Sequence, residues 1–188
     1  MSIGYATQRG ISGRIRRWSN LVSYTTPPAP PISFVLNPSG NFTTVSTNNW
    51  KNTAGGTGWD SNVFGQNAFS TGTMTCQVKN ISGNMMLGMS TNNTAIGYAS
   101  ISWGITTYPS GGGGVAQVYN AGNSGANLGA YTTSTIFKMS WNASTIYYYM
   151  DNVQVASFAK SSNALYVNWC FNFLNSQCEL LSLTSTGP

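Results

Sequence analysis

Charged side chains are scarce in this sequence, and their scarcity excludes most catalytic chemistry. Only 6% of the 188 residues are charged, and there is no histidine. The whole acid inventory is Asp60, Asp151 and Glu179. General acid–base catalysis near neutral pH depends mostly on histidine and on placed carboxylates. We therefore predict that the chain is not an enzyme, and the sequence assigns no catalytic residue.

Metal-ligating residues are equally sparse. The three cysteines, Cys76, Cys170 and Cys178, have no CxxC spacing and no histidine beside them, so they form no recognisable zinc motif. Two aspartates are too few for the oxygen-rich shell of a calcium site. We expect no metal and no cofactor. For the cysteines, two interpretations stay open: buried reduced thiols in strands, or a Cys170–Cys178 bridge across a hairpin.

Long apolar runs are absent, which excludes two kinds of membrane-directed segment. No stretch approaches the ~18 apolar residues of a transmembrane helix. The residues after Arg17 are too polar and too short for the core of a secretory signal, which needs 7 to 15 apolar residues. We therefore expect a soluble, unprocessed chain with no transmembrane segment.

The positive charge is concentrated at the N-terminus. The first 17 residues carry Arg9, Arg14, Arg16 and Arg17 and no acid. Residues 1–24 are interpreted as a basic arm, in which Trp18 directly follows the last arginine. Residues 25–31 contain four prolines, which favour a stiff extended linker. Residues 32–188 are then one domain of ordinary size.

That domain shows an alternation of apolar and polar residues typical of strands. Met74, Cys76 and Val78 form one such face, and Phe137, Met139 and Trp141 form another. The longest alternating face comprises Leu165, Val167, Trp169, Phe171 and Phe173, all of which we expect to point inward. A phase slip between Tyr98 and Ile101 suggests a bulge. No window has ten residues of helical spacing, so we predict an all-β fold of about ten to twelve short strands, an antiparallel sandwich or jelly roll.

A meander from Phe137 to Phe158 carries the most specific pattern. It contains two expected tight turns, at Asn142-Ala143 and at Asp151-Asn152. With the apolar strand Met85–Ser90 before it and a long strand from Leu165 after it, the order of strands over residues 55–183 resembles the concanavalin A-like lectin/glucanase sandwich. That group includes laminin-G and SPRY domains. The resemblance implies a concanavalin A-like β-sandwich, and the three isolated acids do not reproduce a glucanase pair.

Two groups of residues are candidate contacts. Tyr147, Tyr148 and Tyr149 are consecutive, and because strand side chains alternate, at least one of them must point away from the core. That residue would contact a neighbouring subunit, stack on a sugar, or do neither. Trp59 and Asp60, in an expected loop, form the second candidate contact for a glycan or a subunit.

The most abundant polar groups are neutral. Serine and threonine together number 45 and asparagine 21, so the surface hydrogen-bonds largely without charge, which suits permanent contacts or sugar-like ligands. With the arm, this favours a virion structural protein, a minor capsid, penton or spike component located in the virion. Arg9, Arg14, Arg16, Arg17 and Trp18 would contact other capsid subunits, and a homo-oligomer is expected. Four arginines are few for nucleic acid, which is an unlikely partner. The alternative is a glycan-binding, lectin-like module.

Overall fold

A computed structural model describes residues 34–36, 42–53, 58–95, 97–111, 113–120, 123–161 and 163–185. The expected N-terminal arm and proline-rich linker lie outside these residues. Fourteen strands and one short 3₁₀ turn (Tyr98–Ser100) are present in the described part. The strands are β1 (Phe34–Leu36), β2 (Phe42–Ser46), β3 (Asn49–Asn52), β4 (Ser61–Phe69), β5 (Gly72–Val78), β6 (Met85–Ser90), β7 (Trp103–Ser110), β8 (Gly113–Asn120), β9 (Asn123–Tyr131), β10 (Ile136–Trp141), β11 (Thr145–Met150), β12 (Val153–Ala159), β13 (Leu165–Phe171) and β14 (Gln177–Ser185).

The strands form two antiparallel sheets of seven strands each, packed as a sandwich. The first sheet has the order β1-β4-β13-β6-β7-β8-β9, and the second has the order β12-β11-β10-β5-β14-β3-β2. Every neighbouring pair is antiparallel. This confirms the all-β, antiparallel, concanavalin A-like architecture expected from the sequence. Among the described residues, no helix is long and apolar enough to cross a membrane.

The alternating faces build the core between the sheets. Met74, Cys76 and Val78 are buried from β5, as are Phe137, Met139 and Trp141 from β10. On β13, the side chains of Leu165, Val167, Trp169 and Phe171 are fully buried, and the indole of Trp169 meets that of Trp50 edge to face at 5.6 Å. Fully burying a large apolar side chain contributes roughly 1.5 to 3 kcal/mol. These three strands therefore carry much of the stability, as the period-two pattern predicts.

The inward position expected for Phe173 is wrong. Strand β13 ends at Phe171, and Phe173 begins the turn to β14 with 40% of its surface exposed. Its carbonyl accepts hydrogen bonds from the backbone N–H of Ser176 at 3.1 Å and from the side-chain amide of Asn52 at 3.2 Å. Because this turn closes the strand, the alternation no longer determines which way the next side chain points.

Both predicted tight turns of the meander are present. Asn142 accepts hydrogen bonds through Oδ1 from the backbone N–H of Ser144 and Thr145, at 2.9 and 2.8 Å, and so closes the β10–β11 turn. Asp151 and Asn152 have φ of 50° and 66° in the β11–β12 turn. Positive φ at two central residues is the signature of a type I′ hairpin, which aspartate and asparagine tolerate better than most residues.

The predicted bulge between Tyr98 and Ile101 is wrong. Residues 91–102 connect β6 to β7 and include the 3₁₀ turn, and β7 begins only at Trp103. Tyr98 and Ile101 therefore both lie in the loop, and only Trp103 belongs to a strand. The loop lies on the outer surface of the first sheet, where it contributes to the candidate site.

Candidate functional site

The three consecutive tyrosines point to opposite sides of the second sheet. Tyr148 is fully buried in the core, and its hydroxyl donates to the carbonyl of Tyr119 at 3.4 Å. Burial raises the pKa of this hydroxyl well above its usual range. The expectation that Tyr148 contacts a glycan or a subunit is therefore wrong, because the alternation places it inside. Tyr147 and Tyr149 lie on the outer face, each half-buried.

The rings of these two outer tyrosines already have intramolecular neighbours. The Lys138 ammonium lies 4.0 Å from the centre of the Tyr149 ring, a cation–π contact. The side-chain amide of Asn142 donates to the Tyr147 hydroxyl at 3.5 Å. Small polar residues lie on adjacent strands of this face: Ser140 is the cross-strand partner of Tyr147, and Thr75 is the cross-strand partner of Lys138. The face is flat and polar, and the Tyr149 ring offers a ligand less than its full surface.

Trp59 and Asp60 lie on the other side of the sandwich, so the structure separates them from Tyr147 and Tyr149. Trp59 packs on a second hydrophobic cluster, on the outer face of the first sheet. The buried members of that cluster are Met86, Ile101, Tyr119 and Cys170. The other four tryptophans that the structure describes are all buried. Trp59 is thus the tryptophan of the described body that reaches the surface.

A series of three aromatic rings runs across this cluster. The ring centres of Trp59 and Tyr98 are 5.4 Å apart with planes inclined at 55°, and those of Tyr98 and Tyr119 are 6.3 Å apart, edge to face. Tyr119 is buried, whereas Tyr98 is 43% exposed and Trp59 half-buried. Asp60, which follows Trp59 directly, is exposed. The surface presents two adjacent aromatic rings, and an exposed carboxylate is carried by the residue that follows Trp59.

The loop that holds Tyr98 is seated on a pair of glycines. Gly88 of β6 and Gly104 of β7 are direct cross-strand partners, and Ile101 packs over both. A Cβ on Gly88 would come within 2.6 Å of the Ile101 side chain and 2.8 Å of the Gly104 Cα, closer than real Cβ contacts. The missing side chains therefore leave the space into which Ile101 fits, and the loop lies close to the sheet.

A buried network of neutral polar side chains fastens the same loop. Asn62 and Asn168 are fully buried on β4 and β13, and the amide of Asn62 donates to Asn168 Oδ1 at 3.0 Å. Asn62 Oδ1 also accepts from the backbone N–H of Gly97 at 3.0 Å, and the Asn168 amide donates to Ser100 Oγ at 3.1 Å. Satisfied buried networks of this kind rigidify a structure. They hold the 3₁₀ turn, and with it Tyr98, in place.

Cys170 lies directly beneath Trp59. Its thiol is 3.5 Å from the Trp59 carbonyl and 3.5 Å from Asn62 Oδ1. Burial, aided by the negative charge of Asp60, raises the pKa of this thiol to about 12. Cys170 points to the outer face of the first sheet and Cys178 into the core, and all three cysteines are free. The proposed Cys170–Cys178 bridge is therefore not formed, because the two side chains belong to different layers.

The other two acids have structural partners. Glu179 forms an ion pair with Lys79 at 2.8 Å, and Asp151 Oδ1 accepts from the backbone N–H of Ile136 at 2.8 Å. Over the residues that the structure describes, no three histidine, cysteine, aspartate or glutamate side chains are grouped as metal ligands. Asp60 has only a long hydrogen bond of 3.5 Å from Ser61 Oγ. The chemistry available at the site is stacking on rings and hydrogen bonding to a carboxylate.

Sequence reasoning missed several residues that build this site. Tyr98, Ile101 and the two buried asparagines were not among the predicted site residues. One signal was available, since asparagine is depleted in strands and Asn62 and Asn168 both lie in strands. The predicted arm residues Arg9, Arg14, Arg16, Arg17 and Trp18 lie outside the described residues.

Comparison with known proteins supports the fold. No family model matches the sequence, and no curated protein matches it either. The SPRY domain of human HERC1 superposes with a TM-score of 0.60 at 12% identity, covering 78% of this chain and 96% of that one. The legume lectin-like domain from Entamoeba histolytica superposes with a TM-score of 0.52 at 11% identity, covering 82% of this chain and 90% of that one. A Bacteroides ovatus xyloglucan-locus GH43B protein superposes with a TM-score of 0.53 at 8% identity, covering 78% of this chain and 34% of that one. The fold is thus shared by binding domains and by parts of glycosidases.

Proposed function

We propose that this protein is a glycan-binding, lectin-like module whose binding surface consists of Trp59, Asp60 and Tyr98. The observation that carries the proposal is the pair of adjacent rings formed by the half-buried Trp59 and the exposed Tyr98, which lies on a loop fixed by buried hydrogen bonds. The similarity to a legume lectin-like domain supports the same conclusion through the fold. The rival interpretation as a virion subunit gains no support from the three similar structures, none of which is a capsid protein.

The chemistry of the surface suits a sugar. Aromatic side chains offer a broad apolar face, on which the C–H face of a sugar ring can stack, and an ionised carboxylate accepts hydrogen bonds from hydroxyl groups. Sites of this kind combine aromatic lining with a few placed polar groups. Because the loop is already ordered by Ile101 and the asparagine network, binding costs little additional ordering.

We also propose that the module binds without hydrolysing. Glycosidases generally need two carboxyl groups on either side of the scissile bond, about 5 to 9.5 Å apart. Of the three acids, Glu179 and Asp151 are engaged by Lys79 and by the Ile136 N–H on the second sheet and its turn, whereas Asp60 lies on the outer side of the first sheet. The arrangement favours a binding role over hydrolysis, even though part of a glycosidase shares the fold.

A glycan array with the full chain, followed by calorimetry on the best ligand, tests the proposal. We expect Trp59→Ala and Tyr98→Ala each to weaken binding by about tenfold or more, which corresponds to about 1.4 kcal/mol. Tyr147→Ala is the matched control, since it removes an outer-face aromatic from the opposite sheet. Circular dichroism verifies that each variant is folded. Equal affinity for Tyr98→Ala and wild type, or no glycan bound by the folded wild type, would contradict the proposal.

A role in virion assembly depends on residues 1–24, which the structure does not describe. It would follow if Arg14, Arg16 and Arg17 were needed for incorporation into a particle, since arginine pairs strongly with carboxylates of a neighbouring protein. Particle reconstitution with these three arginines changed to alanine tests it. Loss of incorporation with glycan binding intact would favour assembly as the primary role.

A further inference from the structure

Resting on the proposed function, we infer that the glycan bound at Trp59, Asp60 and Tyr98 is an amino sugar with a free, positively charged amine. The inference comes from the distribution of charge over the described body and from the chemistry of the ring pair. A glucosamine oligomer represents this ligand class, and the corresponding N-acetylglucosamine oligomer is its neutral counterpart.

Charge is divided unequally between the two layers. Seven charged residues are described, and six of them lie on the second sheet or on the segments at its strand ends. These six are Lys51, Lys79, Lys138, Asp151, Lys160 and Glu179. Asp60 is the seventh, and it is the one charged residue among the described strands and loops of the first sheet. Among the residues that the structure describes, a single carboxylate is therefore the charge carried by that sheet.

Among the described residues, no lysine forms an ion pair with this carboxylate. Lys79 pairs with Glu179 at 2.8 Å, and Lys138 lies over Tyr149. The ammonium of Lys160 donates to the carbonyls of Ser161 and Asn163, both at 2.8 Å. In the described part of the chain, the only ion pair is that of Lys79 with Glu179. Asp60 thus has its charge available to a ligand.

The aromatic rings also favour a ligand that carries a positive charge. The face of an aromatic ring carries a negative potential, which attracts an ammonium group, and tryptophan attracts it most strongly. Trp59 and Tyr98 are adjacent rings at the surface, and Asp60 directly follows Trp59 in the chain. An ammonium on the sugar would gain a charge-assisted hydrogen bond to the carboxylate as well as attraction to the rings. An acetylated amine carries no charge, so it would retain the stacking and lose both of these gains.

Calorimetry with glucosamine hexamer and N-acetylglucosamine hexamer tests the inference on the full chain. We expect the wild type to bind the glucosamine hexamer about tenfold or more tightly than the acetylated one. Asp60→Asn, which keeps the shape of the side chain, should abolish this difference, because it should weaken binding of the glucosamine hexamer far more than binding of the acetylated hexamer. Asp151→Asn is the control, because it removes the same charge from the far layer and should preserve the difference. High salt should weaken only the binding of the glucosamine hexamer.

The outcomes separate this inference from the proposed function. Equal affinity of the wild type for the two hexamers, or equal losses for both in Asp60→Asn, would overturn the amino-sugar inference and leave a lectin for neutral sugars. A preference that Asp151→Asn removes as completely as Asp60→Asn would show an effect of net charge alone, and would also overturn it. If folded wild type binds neither hexamer and no glycan on the array, the proposed function itself fails.

Discussion

Replacing Gly88 with alanine tests whether the close packing of the β6–β7 loop on the sheet is needed for stability and for the position of Tyr98. The new Cβ would collide with the carbonyl oxygen of Trp103, and would stand 2.6 Å from Ile101 Cγ2 and 2.8 Å from the Gly104 Cα. Two of these three atoms are backbone atoms of the neighbouring strand, so a rotamer change cannot relieve the contact. Overpacking of this kind costs typically 1 to 3 kcal/mol. In a chain of this length, about 2 kcal/mol corresponds to a melting temperature lowered by about 4 to 8 °C.

Urea unfolding followed by tryptophan fluorescence measures this change. Gly113→Ala is the matched control, because the Cβ at that position would have its nearest neighbour, the Ser110 carbonyl oxygen, at 3.9 Å. We expect the control to stay within about 0.5 kcal/mol of the wild type. Adding Ile101→Ala to Gly88→Ala should not restore stability, since the backbone contacts remain. Equal stability of the Gly88 and Gly113 variants would refute the reasoning, as would full rescue by Ile101→Ala. Glycan affinity should fall with Gly88→Ala, because the loop that carries Tyr98 would be displaced.

Three further predictions concern the core, the buried thiol and the N-terminal segment. Trp169→Ala should lower the free energy of unfolding by about 3 to 5 kcal/mol in the same urea assay, because its fully buried indole packs on Trp50 and would leave a cavity. The folded Cys170 thiol keeps its proton to a higher pH than the unfolded thiol, so stability should fall as the pH rises from 9 towards 12. Cys170→Ala should flatten that fall in pH-dependent melts. Deleting residues 1–31 should leave the melting curve nearly unchanged by circular dichroism, since the four prolines of residues 25–31 are expected to separate the arm from the domain.

The sequence predicted those parts of the fold in which a strand has one buried face. On β5, β10 and the β13 face up to Phe171, a period of two is enforced by the core itself, and a slip of one residue would expose every apolar side chain. The same rule predicted that at least one of the three consecutive tyrosines points away from the core, and the structure shows that Tyr147 and Tyr149 do so. The turns at Asn142 and Asp151 were predictable for a different reason, because they depend on the local chemistry of a few adjacent residues.

The candidate site was only half predictable, since its support comes from residues far apart in the chain. Trp59 and Asp60 were recognisable as an aromatic and an acid in a loop. Their partner Tyr98 is held by hydrogen bonds that span 35 and 68 residues of sequence, from Asn62 to Gly97 and from Asn168 to Ser100. Alternation cannot show such contacts. The alternation of apolar and polar residues shows which face of a strand is buried, and its use assumes that only one face is buried.

The outer face of the first sheet breaks that assumption. A loop buries this face. The burial costs little free energy because the buried groups are neutral amides, hydroxyls and a thiol, which form hydrogen bonds with one another. A charged side chain at Asn62 or Asn168 would need a buried counter-ion, at a desolvation cost that often exceeds the attraction. The low charge of the chain therefore allows a loop to pack closely on a sheet and hold Tyr98 beside Trp59. Among the described residues, the one charge on this layer is that of Asp60, which is exposed just before β4, where a ligand can reach it.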